Sequence, residues 1–170
     1  EVYKIELLMK QAKITPEYRP VVPTANNLAK ETKAPAAALE LPDGKIVTGK
    51  TTALLGASSA VLLNAVKELG GIPDETLLIS PTFIEPIQHL KTEYLGSKNP
   101  RLHTDEVLTA LSMCAASDEN ARRALEQLPL LRGCQVHTSV MLSSVDVKTF
   151  HALGIQLTSE PIYEDKKLYH

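Results

Sequence analysis

The chain has no tryptophan and only two phenylalanines in 170 residues, and aromatic residues make up 4% of it. So sparse a supply excludes the stacking platform that proteins use to hold single-stranded nucleic acid. Charge of one sign is also lacking. Lys and Arg number 18 against 20 Asp and Glu, a formal net charge of -2, which gives no basic field for nucleic acid or an anionic membrane. Cysteine is limited to Cys114 and Cys134, too few for a disulfide scaffold and consistent with two buried thiols in a reducing compartment. No apolar run reaches membrane-spanning length and no signal-peptide pattern opens the chain, so the expected location is cytoplasmic. The first residue is Glu1 rather than Met, within an apparent helix already under way (Val2, Ile5, Met9 and Ala12 on one stripe). A missing upstream region is the expectation.

What the chain does carry is densest between Ala36 and Gly71. Gly44 to Thr51 satisfies the written pattern of a phosphate loop, G-x-x-x-x-G-K-[ST], and nucleotide triphosphate binding through it is one alternative. The physical reading differs. Ile46-Val47-Thr48 are β-branched and favour extended chain, and Pro42-Asp43-Gly44 is a hairpin turn signal. Two antiparallel strands are expected, Ala37 to Leu41 and Lys45 to Lys50. A separate helix then begins after Gly56, with Val61, Leu62, Ala65, Val66 and Leu69 on its inner stripe.

Around this unit, three prolines (Pro16, Pro20, Pro23) predict an extended connector from Thr15 to Pro23, and Thr24 is expected to cap a short helix to about Thr32. Residues 1–34 thus read as a helical lead-in and proline-rich connector, and residues 35–170 as the main domain. Beyond Gly70-Gly71, Thr76 to Ile79 predicts a buried strand. Ser80 or Thr82 opens a helix with Leu90 inward, and Thr104 and Asp118 cap two further helices. Cys134 to Leu142 predicts a strand, Ser144 a helix cap, and Ile155 to Thr158 a last strand. One hairpin followed by strand–helix alternation implies an α/β sandwich with a mixed sheet covered by helices.

Long blocks (TPEYRPVVPTANNLAKET, APAAALELPDGKIVTGKT, ISPTFIEPIQHLK, NPRLHTDEVLTAL, QLPLLRGCQVHTSVMLSSVD and the closing KKLYH) resemble the C-terminal part of one bacterial family. That is uncharacterised protein family three-seven-one, the domain of unknown function numbered eighteen forty-six. The resemblance implies a longer cytoplasmic bacterial protein and no specific activity. A second resemblance is architectural. The predicted element order looks like the cytidine-deaminase fold, a three-layer sandwich, here with extra helices. In the zinc deaminases a His or Cys with a nearby Glu opens one helix, and a Cys pair opens the next. The matching positions here are Ala57-Ser58-Ser59 and Ser80-Pro81-Thr82, which supply no soft ligand and no carboxylate, so neither zinc nor another cofactor is expected.

In that architecture the helices starting at Ala57 and near Thr82 would point their N-termini into one crevice. Free N–H groups with hydroxyls from Ser58, Ser59, Ser80 and Thr82 make a candidate anion site, to which Lys50, Thr51 and Arg101 could add. Ordinary helix capping accounts for the same hydroxyls. Catalytic candidates are His103, Asp105 and Glu106, which together with Arg101 gather an imidazole, two carboxylates and a cation, and Glu85, one turn into its helix. The bland reading of the first group is a charged helix start, and of Glu85 a solvated helix residue. His137 on a strand reads as structural, and His89, His151 and His170 have no partner at metal-ligand spacing. Arg19 and Asn26 carry no signal beyond the family blocks. The expected partners are a small anionic metabolite of phosphate or nucleotide type, the upstream part of the same chain and a second copy of it. The rival reading is a non-catalytic scaffold or oligomerisation domain.

Overall fold

A computed structural model describes residues 19–163; the amphipathic stretch from Val2 to Ala12, most of the proline-rich connector and the final KKLYH block lie outside them. Six α-helices and one four-stranded mixed sheet make up the described residues: α1 (Val21–Thr32), β1 (Ala36–Glu40), β2 (Ile46–Lys50), α2 (Ala57–Leu69), α3 (Pro81–His89), α4 (Thr104–Ala115), α5 (Glu119–Leu125), β3 (Gln135–Thr138), α6 (Ser144–Ala152) and β4 (Gln156–Ser159). The strand order is β2-β1-β3-β4. β1 is antiparallel to both β2 and β3, and β3 is parallel to β4 across α6.

The hairpin forms as its residues dictate. Gly44 turns at φ 91°, and Ala37 pairs with Gly49 and Leu39 with Val47. The phosphate-loop alternative is corrected here: Ile46–Lys50 is ladder-bonded strand, and α2 opens only at Ala57 with Gly56 as its N-cap. The second glycine of that pattern has another task. A Cβ on Gly49 would stand 2.4 Å from the backbone nitrogen of Val61, so helix and strand touch backbone to backbone only because the side chain is missing.

The two faces of the sheet are unequal. One packs Ala37, Leu39 and Val136 against Val61, Leu62, Ala65 and Val66 of α2, joined by Val107 and Leu111 of α4 and Phe150 of α6. The other holds a small cluster of Val21, Ala25 and Ala38 beneath α1.

Several sequence expectations fail for identifiable reasons. The connector does not stay extended to Pro23. α1 already begins at Val21, because proline is tolerated in a first helical turn, and Thr24 sits inside the helix bonding back to the Pro20 carbonyl. Thr76–Ile79 is not a strand. Leu78 and Ile79 are buried in irregular chain while Leu77 is 70% exposed, and the place beside β1 is taken by β3. Leu90 faces solvent, and Ile84 is the buried residue of α3. Past α3 the chain enters a π-helical turn, Leu90–Tyr94. At α4 the cap position belongs to His103, not Thr104, and at α6 Ser143 caps in place of Ser144. Asp118 caps α5 as expected, accepting from the backbone N–H groups of Asn120 and Ala121.

Candidate functional site

The start of α2 meets the start of α4, not that of α3. Leu55 forms a parallel bridge with Leu102, and the Leu102 N–H donates to the Leu54 carbonyl. The Ser59 hydroxyl then donates to the Leu102 carbonyl at 2.9 Å. These bonds zip residues 54–56 to 101–103 and hold both helix starts at one place. Ser80 and Phe83, at the start of α3, instead line a hollow with Cys114, Ser117 and Asp118, at the far end of α4. Twelve residues of α4 separate the two places, which at 1.5 Å per residue is about 18 Å. Thr82 is therefore tied to its neighbour Ser80 and takes no part at the start of α2. Between α2 and α3 lies a mostly apolar hollow of about 190 Å³, lined by Ala60, Leu63, Pro81 and Ile84, whereas the polar crevice at the start of α2 is shared with α4.

Gly56, Ala57, Ser58, Asn99, Arg101, Leu102, His103 and Asp146 line this crevice, around a cavity of about 10 Å³, roughly the room for one water. Ser58 is 2% exposed. Among the described residues its hydroxyl and Nη1 of Arg101 have no hydrogen-bond partner, although both atoms are buried. Arg101 is fixed from its other side, with Nε donating to the Thr52 carbonyl and its own N–H donating to Oδ1 of Asn99. The α2 start is shared. Oγ1 of Thr51 accepts the Ala57 N–H at 3.2 Å, whereas the next N–H groups have no acceptor within the helix. Lys50 is exposed at the end of β2 and does not line the cavity.

The α4 start is electrostatically satisfied from within. Oδ1 of Asp146, a buried carboxylate on α6, accepts the Thr104 N–H at 2.9 Å and the Thr104 hydroxyl at 2.7 Å. It thereby acts as the anion that a helix N-terminus favours. Glu106 reaches back to accept the His103 N–H at 2.8 Å and takes the Lys91 ammonium at 2.8 Å, with His103 Nδ1 at 3.3 Å. Burial works against its charge, but the bonds from His103 and Lys91 outweigh burial and bring its pKa down to about 2. The Glu106 bond raises the pKa of His103 against the opposing effect of burial. Asp105 and Glu85 are exposed helix residues; Asp105 accepts the Glu106 N–H. Of the predicted residues, Ser58, Ser59, Thr51, Arg101, His103 and Glu106 are thus brought together. Thr82, Glu85 and Lys50 are not, and Asp105 stands outside the cavity.

Lys91, Asn99 and Asp146 were invisible to sequence reasoning. Lys91 is 6% exposed and lies on the π-helical turn, a geometry common at functional positions. A lysine among charged and polar neighbours gives no hint of burial, and Asp146 is 42 residues from its partner.

A second polar cluster lies on the opposite face, under α1. Arg19 donates through Nε to Gln135 at 2.8 Å and through Nη1 to Thr158 at 3.1 Å. The His137 Nδ1 lies 2.8 Å from the Thr158 hydroxyl. Its Nε2 is 2.9 Å from Glu160 but outside hydrogen-bond geometry, and Asn26 donates to the same carboxylate at 3.3 Å. Burial lowers the pKa of His137 although Glu160 opposes it.

No helix among the described residues is long and apolar enough to cross a membrane. Nor do the described residues contain a group of three or more His, Cys, Asp or Glu able to hold a metal. Fold and site together define an α/β domain with a buried polar crevice where two helices begin. The model of the C-terminal domain of unknown function DUF1846 matches residues 17–169, and the chain belongs to that family. It is 60% identical over 166 residues to a UPF0371 protein of Corynebacterium efficiens, covering 98% of this chain and 34% of that protein. It is 48% identical over 168 residues to a UPF0371 protein of Streptococcus sanguinis, covering 99% of this chain and 34% of that protein. The chain thus spans about a third of the length of these curated relatives.

Proposed function

We propose that this domain binds a small anionic group at the start of α2, between Ser58 and Arg101, without zinc. The observation that carries the reading is the Ser58 hydroxyl: it is 98% buried, has no partner among the described residues, and lies in the first turn of a helix. Leaving such a group unpaired costs about 1–3 kcal/mol, which a bound acceptor would recover. The buried, partnerless Nη1 of Arg101 and the positive end of α2 add the charge that an anion needs. The phosphate or nucleotide type of ligand expected from sequence enters as the wider class. Of the residues lining the crevice only His103 and Asp146 are of metal-ligating type, fewer than the three or four protein ligands zinc takes, which supports a zinc-free reading. We also read the hairpin and the helix after it as a deaminase-type three-layer plan lacking one strand; this likeness of architecture licenses no reaction.

The test is titration calorimetry of the full-length protein with phosphate, nucleotides, folate-like ligands and small carboxylates. Saturable binding that Ser58→Ala removes is the expected result. A full-length protein that binds none of them refutes the reading.

A scaffold role is the second reading. It is favoured by Tyr94 and Leu95, adjacent and each at least 70% exposed, and by the equally exposed Leu77 before α3, since large apolar side chains left in solvent mark interaction surfaces. Light scattering of the wild type against Leu77→Ser/Leu95→Ser decides it. Unchanged oligomeric state in the double variant abandons that role for this surface.

A further inference from the structure

Three features of the crevice narrow the class of anion, on the premise that the anion reading above is right. The first is space. A cavity of about 10 Å³ admits one oxygen-sized group, so a tetrahedral oxyanion cannot enter with several oxygens as it does in a phosphate loop. The second is charge. Asp146 lines the same cavity, and Glu106, ionised by its Lys91 and His103 bonds, stands one helical turn from His103. Lys91 offsets Glu106, so a dianion there would still meet the Asp146 carboxylate at the cavity wall, whereas a monoanion is matched by Arg101. The third is the donor set. One hydroxyl and one guanidinium nitrogen are partnerless, two separate donors that suit the two oxygens of a planar acceptor, one oxygen to each.

We propose that the ligand group recognised at this crevice is a carboxylate, placed edge-on with one oxygen in the cavity against the Ser58 hydroxyl and its charge facing Arg101. The rest of the ligand extends outward past the half-buried Arg101 and the exposed Thr52. Ser58 and Arg101 are binding residues in this account, and Asp146 is the specificity element that disfavours a dianion. No covalent step is involved.

The experiment compares thermal stabilisation of the full-length protein by sodium formate, sodium acetate and inorganic phosphate at constant ionic strength, at pH 7. A ligand that binds the folded state raises the melting temperature with saturation. Formate and acetate should do so at concentrations at least tenfold below any response to phosphate. Ser58→Ala should abolish the response while leaving the unliganded melting temperature equal or higher, because it deletes a buried hydroxyl with no partner. Arg101→Met should weaken it by tenfold or more. Asp146→Asn should narrow the gap between phosphate and acetate. Phosphate binding as tightly as acetate, with loss in Ser58→Ala, overturns the carboxylate assignment and leaves the anion site standing. No saturable response to any of the three overturns the carboxylate proposal, and the calorimetric ligand series above then decides the anion reading. A fall in the unliganded melting temperature of Ser58→Ala marks the hydroxyl as structural and overturns both.

Discussion

Two polar clusters sit on opposite faces of one sheet, and they are built differently. The α2–α4 crevice rests on the main apolar core, and apart from Arg101 its charged groups are held internally: Glu106 ionised, Lys91 paired, Asp146 bound to Thr104. The cluster under α1 rests on buried Val21, Ala25 and Ala38 with half-buried Val22 and Ile46, and assembles side chains from position 19 to position 160. A crevice backed by a large core can hold a hydroxyl unpaired at a fixed position, since packing rather than the polar groups fixes its walls. A cluster over a thin core must hold its own helix in place. Buried unpaired atoms occur in both, Ser58 Oγ and Arg101 Nη1 in the first and Arg19 Nη2, Asn26 Oδ1 and His137 Nε2 in the second, so the size of the core beneath is what separates them.

The widest gap between them should come from Gly49→Ala. The new methyl would collide with the Val61 backbone, and backbone cannot rotate away. Overpacking costs of about 3 kcal/mol or more are expected in chemical denaturation, with the anion response lost and the α1 face intact in the surviving native fraction. A loss below about 1 kcal/mol would mean that the helix slides freely over the strand.

Next is Asp146→Ala against Glu160→Ala. The former strands the Thr104 N–H and hydroxyl in a buried place and should cost about 2–3 kcal/mol. The latter removes a half-exposed carboxylate beside Asn26 and His137 and should cost under about 1 kcal/mol. Equal losses in parallel melts would erase the distinction drawn here.

The two histidines sharpen the contrast without mutation. His103 has its pKa raised by Glu106 and His137 has its pKa lowered by burial, each from an ordinary value of 6.5. The His103 contribution to stability is present below about 6.5 and fades as pH rises through its higher folded value. For His137 the neutral form is favoured, so its contribution is present above about 6.5 and fades as pH falls through its lower folded value. Imidazole resonances followed by NMR should titrate in that order, and the reverse order refutes the assignment of which ring is held charged. The acid limb tests the crevice alone. Glu106, held down at about 2 from 4.5, contributes stability that is lost only below about 4.5. Glu106→Gln should flatten that limb of the melting curve, and an unchanged limb would assign acid sensitivity elsewhere.

The hairpin, the α2 stripe and the Asp118 cap were legible because each depends on residues close together in sequence: a Pro-Asp-Gly turn, an i, i+3, i+4 pattern, and a side chain reaching two residues on. Half of the site was legible for the same reason. Ser58 and Ser59 open a visible helix, and Arg101, His103 and Glu106 crowd into six positions. What stayed hidden depends on contacts across the fold. Thr76–Ile79 has strand composition, but β3 already pairs with β1. The hydroxyls of Ser80 and Thr82 match those of Ser58 and Ser59 in type, and only the Leu55–Leu102 bridge determines which pair stands beside Arg101. Arg19, Asn26 and His137 are unremarkable singly and become a cluster only when β4 lies alongside β3.

The missing side chain at position 49 works as a gauge. Where two main chains touch with nothing between them, their separation is already at its minimum and can only widen. Ser58 rides on the same helix one turn before Val61, so the width of a polar opening at the molecule's surface is metered by an apolar contact inside it.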